Sequence, residues 1–329
     1  MKRAILLLPP SRRDAIYSAD TLAEIRTLVE LTDCGDLVGR LDDLRPVLAD
    51  TEIILSGWGM MPLDKDFLDA APRLQAVLYG AGSVRYLVTD EFWQRSILLT
   101  SSYAANAVPV IEFTVSAIVF GLKGAVLARE LTRQRRTFAH PGGVKGLYGA
   151  RVGVIGAGMV GSGVLERLKD YDVTTYCCDP HLTPDRARQF PTTPMSLEDI
   201  FRTCDAVTLH AASIPATEHM VRGDHFCTMK DGAVFINTAR GRIVREDEMI
   251  EVLREGRIYA FIDVTDPEPP ATDSPLYDLP NVFLTPHLAG SAGDETHRQG
   301  QYVLEELRRF LNGQKPRHPV TQDMMKWMA

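Results

Sequence analysis

Side chains suited to acid–base or anion chemistry follow a series of short apolar segments in the second half of this 329-residue chain. Each segment has the length and composition of a buried strand. The side chains are His210, Arg240, Asp263, Glu268 and His287. In an open parallel sheet, ligands bind outside the carboxyl ends of the strands. One histidine at a strand end is usually a structural hydrogen-bonding residue, but a series of ends carrying Arg, acids and His predicts a reaction site.

These residue types suit the reduction of a ketone, in which hydride transfer is coupled to proton transfer. The substrate oxygen then needs a proton from a group that titrates near neutrality, which describes histidine. A carboxylate at the other ring nitrogen orients the imidazole, and a guanidinium binds a substrate carboxylate through two hydrogen bonds. We therefore predict His287 as the acid/base, Glu268 as its partner and Arg240 as the substrate-binding residue. His210 is predicted to line the cofactor pocket.

The glycines Gly156, Gly158 and Gly161 follow a valine-rich segment and precede an amphipathic helical pattern. In this context they predict a dinucleotide-binding turn, with the pyrophosphate at the helix N-terminus. Asp179 lies 18 residues beyond Gly161, where an acid accepts hydrogen bonds from the adenosine ribose and repels a 2′-phosphate. NAD is therefore favoured over NADP. The alternatives are an S-adenosylmethionine site, which uses a similar turn, and an ordinary α/β turn with incidental glycines.

Composition excludes several classes of protein. The formal net charge is −7, with 45% hydrophobic and 24% charged residues, which argues against a disordered chain and a basic nucleic-acid binder. Five cysteines without a CxxC pair suit reduced thiols in the cytoplasm. The longest apolar stretch, 107–122, contains Pro109 and Glu112, so we interpret it as a buried helix rather than a membrane span. No nucleic-acid or membrane partner is expected, and no metal.

The elements that must position these residues form two alternating series. In the first, strands are predicted at 4–8, 52–55, 74–79 and 97–100, with helices at 21–31 and 41–48. The second begins near Gly149. Its strands are predicted at 151–156, 173–178, 206–210, 233–237, 259–264 and 282–285, with a short additional one within 190–194. Helices are predicted at about 107–125 and 294–311. The pattern indicates an α/β fold with two doubly wound parallel-sheet domains.

The chain resembles the D-isomer-specific 2-hydroxyacid dehydrogenases, a family that includes 3-phosphoglycerate, glyoxylate/hydroxypyruvate and D-lactate dehydrogenases. The resemblance covers nearly the whole chain and is strongest from about 100 to 290. The matching stretches are 106–112, 156–161, 204–210, 237–241, 262–269 and 284–290.

This resemblance implies a Rossmann NAD-binding domain, residues 106–292, inserted into a flavodoxin-like substrate domain, residues 1–105 and 293–329, with a cleft between them. It implies that Arg240, Glu268 and His287 form the catalytic set. It places Asp263 near the nicotinamide and the backbone amides of Ala81 and Gly82 at the substrate carboxylate. A homodimer through the helix starting near Asn106 is also implied. The remaining predicted cofactor-binding residues are Met159, Val160, Ala211, Thr238, Ala239 and Gly290.

The predicted function is transfer of a hydride between NAD(H) and a small D-2-hydroxy acid or 2-keto acid. The alternative is a dinucleotide-sensing regulator similar to the family's transcriptional co-repressors, which keep the same three catalytic residues. The chain departs from the usual family pattern in the loop from Gly80 to Arg85 and at Ala211-Ala212. These departures leave the identity of the substrate open. The pairing of Glu268 with His287 argues against formate dehydrogenases, which carry glutamine in place of the glutamate.

Overall fold

The strands of this protein form two separate parallel sheets. A computed structural model describes residues 1–327. The chain divides into two units. The first contains residues 1–107 and the chain from residue 291 onward, and the second contains residues 108–290.

The sheet of the first unit has five strands, all parallel, in the order β2-β1-β3-β4-β5. This order is the flavodoxin-like arrangement. Its strands are β1 (Arg3–Leu7), β2 (Glu30–Asp33), β3 (Ile53–Ser56), β4 (Ala76–Tyr79) and β5 (Leu98–Ser101). Every residue of β3 and β4 is buried, as expected for central strands covered on both faces.

Six α-helices contain residues of the first unit alone. They are α1 (Pro10–Ile16), α2 (Ala19–Leu28), α3 (Leu41–Leu48), α4 (Lys65–Ala70), α5 (Asp90–Trp93) and α13 (His297–Leu311). The predicted helix 21–31 is wrong at its end, because α2 stops at Leu28 and the chain continues into β2. The strand β2 lies at the sheet edge with mostly exposed residues, so it lacks the apolar run that marks the inner strands.

The sheet of the second unit has seven parallel strands in the order β12-β11-β10-β9-β6-β7-β8. The order reverses between β6 and β9, which is the switch point of a Rossmann fold. Its strands are β6 (Ala150–Ile155), β7 (Val173–Cys178), β8 (Thr192–Pro194), β9 (Ala206–Leu209), β10 (Val234–Asn237), β11 (Tyr259–Ile262) and β12 (Val282–Leu284).

The remaining α-helices are α6 (Tyr103–Leu122), α7 (Ala125–Arg135), α8 (Met159–Leu168), α9 (Pro184–Gln189), α10 (Leu197–Thr203), α11 (Gly223–Thr228) and α12 (Glu246–Arg254). By length and composition α6 could cross a membrane, but 56% of its most apolar 18-residue window is buried inside the protein. A buried core helix has the same composition. The helix begins four residues before the predicted start at 107.

Candidate active site

The chain turns sharply between β6 and α8 at the predicted glycine motif. Gly156 has a φ of +90°, and a Cβ there would lie 2.6 Å from the Ala211 nitrogen. A Cβ at Gly161 would lie 1.9 Å from the Gly156 oxygen, so neither position admits a side chain. A Cβ at Gly158 would meet nothing within 4 Å, which leaves the backbone open on that side. The helix α8 starts at Met159 without a side-chain cap, so its first N–H groups are available to a phosphate.

Asp179 follows β7 directly and lies against this turn. Its Oδ2 accepts a hydrogen bond from the Ala157 N–H at 2.6 Å, and its Oδ1 accepts one from the His181 N–H at 2.7 Å. The carboxylate is therefore fixed beside the glycines, where the sequence predicts the adenosine ribose. Open backbone at Gly158, an uncapped helix N-terminus and a fixed acid together fit a dinucleotide.

His210 lies at the end of β9, and its N–H donates to the Ile155 carbonyl oxygen at 2.7 Å. Its Nε2 is 2.9 Å from the Thr208 hydroxyl. Burial lowers the pKa of His210 to about 3, so the ring is neutral at physiological pH. This side chain is therefore suited to the wall of a pocket and not to proton transfer near neutrality.

The neutral state of His210, a partly exposed side chain, predicts an acid-sensitive fold. The unfolded histidine titrates near 6.5 and the folded one near 3, so the unfolded state binds more protons between these values. The free energy of unfolding is expected to fall by about 1.4 kcal/mol for each pH unit below 6.5 on account of this group. Urea titrations at pH 7.5 and pH 5 test this, with His210→Gln losing that part of the pH dependence. Substitution of the exposed His140 by Gln is the control, and equal pH dependence in all three proteins would contradict the prediction.

Arg240 lies in the loop after β10, and Asn237 fixes that loop. The Asn237 side chain accepts from the Ala239 N–H at 3.0 Å and donates to the Arg240 carbonyl oxygen at 3.1 Å. The Arg240 Nη1 donates to the Ala239 carbonyl oxygen at 2.6 Å. Burial lowers the pKa of the guanidinium, and the charge of the nearby Glu268 raises it. A mostly buried guanidinium bonded to a neutral carbonyl keeps donors for an anionic ligand.

His287 and Glu268 form a direct pair. The Nδ1 of His287 lies 2.5 Å from the Glu268 Oε1, and both side chains are a little under half exposed. His287 has a φ of +52°, a strained conformation for a residue with a Cβ. The backbone nitrogen of His287 lies 3.0 Å from both the Asp263 and the Thr285 carbonyl oxygens. The bond to Nδ1 leaves Nε2 for a ligand.

The carboxylate of Asp263 holds the loop that carries His287. Its Oδ1 accepts from the Thr285 hydroxyl at 2.6 Å and from the Leu288 N–H at 2.8 Å, and its Oδ2 accepts from the Ala289 N–H at 3.0 Å. Asp263 is 3% exposed. It therefore positions His287, and its predicted place near the nicotinamide stays a prediction.

Three of the predicted site residues line one cavity of the second unit. Asp263, Glu268 and His287 line an open cavity of about 950 Å³, together with Arg129 and Glu130 of α7. The Thr238 hydroxyl, predicted at the cofactor, lies 3.1 Å from the Thr114 hydroxyl of α6. Other predicted cofactor residues follow β6, β9, β10 and β12 in the chain. They are Met159, Val160, Ala211, Ala239 and Gly290.

The loop predicted to hold a carboxylate lies in the first unit, directly after β4. Ala81 is fully buried, and the Ser101 hydroxyl donates to its carbonyl oxygen at 2.8 Å. The N–H groups of Ala81 and Gly82 have no hydrogen-bond partner within residues 1–327. The carbonyl side of the loop is thus occupied while the donor side is available to an anion.

Sequence reasoning did not find three positioning residues: Asn237, Ser101 and Thr285. Each is a short polar residue at or just after the end of a strand, where turn-forming side chains bond to the backbone. Such a residue at a strand end was the available signal, although it does not specify the partner.

Residues 117–289 match the sequence profile described as "D-isomer specific 2-hydroxyacid dehydrogenase, NAD binding domain". The chain belongs to this dehydrogenase family. It is similar to the D-3-phosphoglycerate dehydrogenase of Methanocaldococcus jannaschii, with 27% identity over 94% of this chain and 58% of that protein. It is 28% identical to the glyoxylate reductase of Korarchaeum cryptofilum over 80% of this chain and 81% of the relative.

Solved structures of this dehydrogenase family have the same fold. The NAD-complexed D-isomer specific 2-hydroxyacid dehydrogenase from Lactobacillus delbrueckii ssp. bulgaricus aligns with a TM-score of 0.81 at 21% identity, over 98% of this chain and 100% of that one. The profile match to an NAD binding domain supports NAD as the cofactor. The phosphoglycerate dehydrogenase named above is much longer than this chain, which spans 58% of its length.

Proposed function

We propose that this dehydrogenase interconverts a small D-2-hydroxy acid and its 2-keto acid, with His287 as the acid/base. The observation that carries the proposal is the 2.5 Å contact between the His287 Nδ1 and the Glu268 Oε1. When bound, NAD(H) supplies or accepts the hydride. Residues of the glycine turn, with Asp179 at the adenosine ribose, would hold it.

The chain's own residues would handle the substrate's charge and its proton. During reduction, Nε2 of His287 gives a proton to the substrate oxygen, and Glu268 stabilises the imidazolium beforehand. Arg240 binds the substrate carboxylate and polarises the adjacent carbonyl. In the first unit, the N–H groups of Ala81 and Gly82, which have no partner within residues 1–327, are proposed as donors to an anion.

A panel of 2-keto acids tests the reaction class. NADH oxidation is measured with glyoxylate, hydroxypyruvate, pyruvate and phenylpyruvate, and we expect turnover with at least one of them. Tight NADH binding without turnover of any member would contradict the proposal and favour a dinucleotide-sensing regulator. The same panel ranks side chains of the substrate by size and polarity.

We also propose a cytoplasmic homodimer that forms through the helix starting near Asn106 and the segment after it. No residue of α7 is buried, and Phe138 and Tyr148 are 93% and 85% exposed. These exposed aromatic groups support the proposed interaction surface. The free cysteines, of which Cys34, Cys177 and Cys204 are buried, suit a reducing compartment. Light scattering in solution measures the mass, and a monomer would contradict the dimer.

A further inference from the structure

A charged side chain outside the predicted site contacts the glycine turn. Arg186 of α9 donates from Nη2 to the Ala157 carbonyl oxygen at 2.6 Å and to the Ser162 hydroxyl at 3.2 Å. Within residues 1–327, Arg186 forms no ion pair, and its Nε and Nη1 have no hydrogen-bond partner. Its guanidinium is therefore held by neutral oxygens and keeps donors available for an anion.

Arg186 and Asp179 bind the backbone of the same residue. The Ala157 N–H donates to Asp179, while the Ala157 carbonyl oxygen accepts from Arg186 and, at 2.8 Å, from the Ser162 hydroxyl. The two opposite charges thus both bind the backbone of Ala157, Asp179 at its N–H and Arg186 at its carbonyl oxygen. The charges of both residues act on Cys177, near the end of β7. Burial raises the pKa of the Cys177 thiol to about 12; the charge of Asp179 also raises this pKa, and the charge of Arg186 lowers it.

We propose that Arg186 is a second specificity-determining residue for the dinucleotide, able to bind a 2′-phosphate that Asp179 repels. The inference rests on the assignment of Asp179 to the adenosine ribose proposed above. A carboxylate at this position disfavours the phosphate of NADP, and a guanidinium with free donors binds phosphate by charge-assisted hydrogen bonds. Selectivity for NAD then comes from one carboxylate that outweighs an adjacent cation.

Binding titrations of NADPH and NADH, followed by nicotinamide fluorescence, test this without reference to turnover. Asp179→Asn removes the charge and keeps an acceptor for the Ala157 N–H, and we expect it to tighten NADPH binding about 10- to 100-fold. Adding Arg186→Gln should abolish that gain. Adding Arg188→Gln instead should keep it, because Arg188 lies on the same helix, is exposed and pairs with Asp185.

The two assignments fail in different ways. If the double variant with Arg186→Gln keeps the gain, Arg186 has no part in specificity, although Asp179 retains its role. If Asp179→Asn changes neither the NADPH nor the NADH affinity, the ribose assignment is wrong and the proposal for Arg186 fails with it. Far-UV circular dichroism reports that each variant is folded, and Asp179→Ser replaces Asp179→Asn if the latter is unstable.

Discussion

Replacing His287 by asparagine is expected to lower kcat by about 10²- to 10⁴-fold, the usual contribution of a positioned acid/base. The Nδ1 of His287 contacts Glu268 at 2.5 Å, so the ring is oriented and its Nε2 is the only proton donor that the pair offers to a substrate. Asparagine adopts positive φ more readily than most residues, so the backbone at +52° is retained. The affinity for NADH should change little, because the loss belongs to proton transfer.

His219 supplies a matched control for this substitution. It is also a histidine with positive φ, +53°, and it has no place in the proposed reaction. His219→Asn should therefore keep the wild-type kcat, although it also places an asparagine at a positive φ. Glu268→Gln should fall between wild type and His287→Asn, because the amide still orients the ring but no longer stabilises the imidazolium. A kcat for His287→Asn within about threefold of wild type would remove His287 from the mechanism.

The sequence predicted the parts of the site whose chemistry and neighbours are local. The glycines Gly156, Gly158 and Gly161 lie within six residues, and the strand, the turn and the helix start that they connect are adjacent in the chain. The turn could therefore be predicted from a short stretch of sequence. The strand β7 was predicted with its observed bounds, Val173–Cys178, because a short β-rich run bounded by turn residues is the strand signal. Asp179 follows from this strand by spacing alone.

The parts that the sequence did not predict depend on contacts between distant segments. Arg186 is 29 residues from Ala157, and no periodicity specifies that α9 places its guanidinium against the glycine turn. The same holds for Ser101, which reaches the Ala81 carbonyl oxygen from the neighbouring strand. Local patterns define elements and their ends, whereas packing decides which side chain meets which backbone group.

The first helix illustrates a different limit, in which a local signal was interpreted in one direction only. The predicted first strand, 4–8, stops just before Pro9 and Pro10, and β1 ends at Leu7, but Pro10 also begins α1. Proline is favoured in the first turn of a helix because its missing N–H has no intrahelical partner there. A pair of prolines can therefore end one element and start the next.

Arg240 is the second residue whose replacement should have a large effect, because it acts on the substrate's charge. In Arg240→Met, kcat/KM for the preferred 2-keto acid is expected to fall about 10²-fold or more, the scale of losing a charge-assisted pair and a polarising donor. Arg240→Lys should recover only part of the loss, since an ammonium keeps the charge without the two-pronged geometry. Steady-state kinetics with NADH at saturation measure both variants.

Arg242 allows the effect of Arg240 to be separated from that of general charge. It lies two residues away, is 63% exposed, and faces Glu218 and Asp266 at 3.8 and 3.7 Å. Arg242→Met removes the same charge as Arg240→Met. Because Arg242 has no place in the proposed substrate site, its replacement should leave kcat/KM near wild type. If Arg240→Met and Arg242→Met lose activity alike, long-range attraction of an anionic substrate explains the loss. If only Arg240→Met loses it, and NADH affinity is kept, the guanidinium fixed by the Asn237 loop binds the substrate directly.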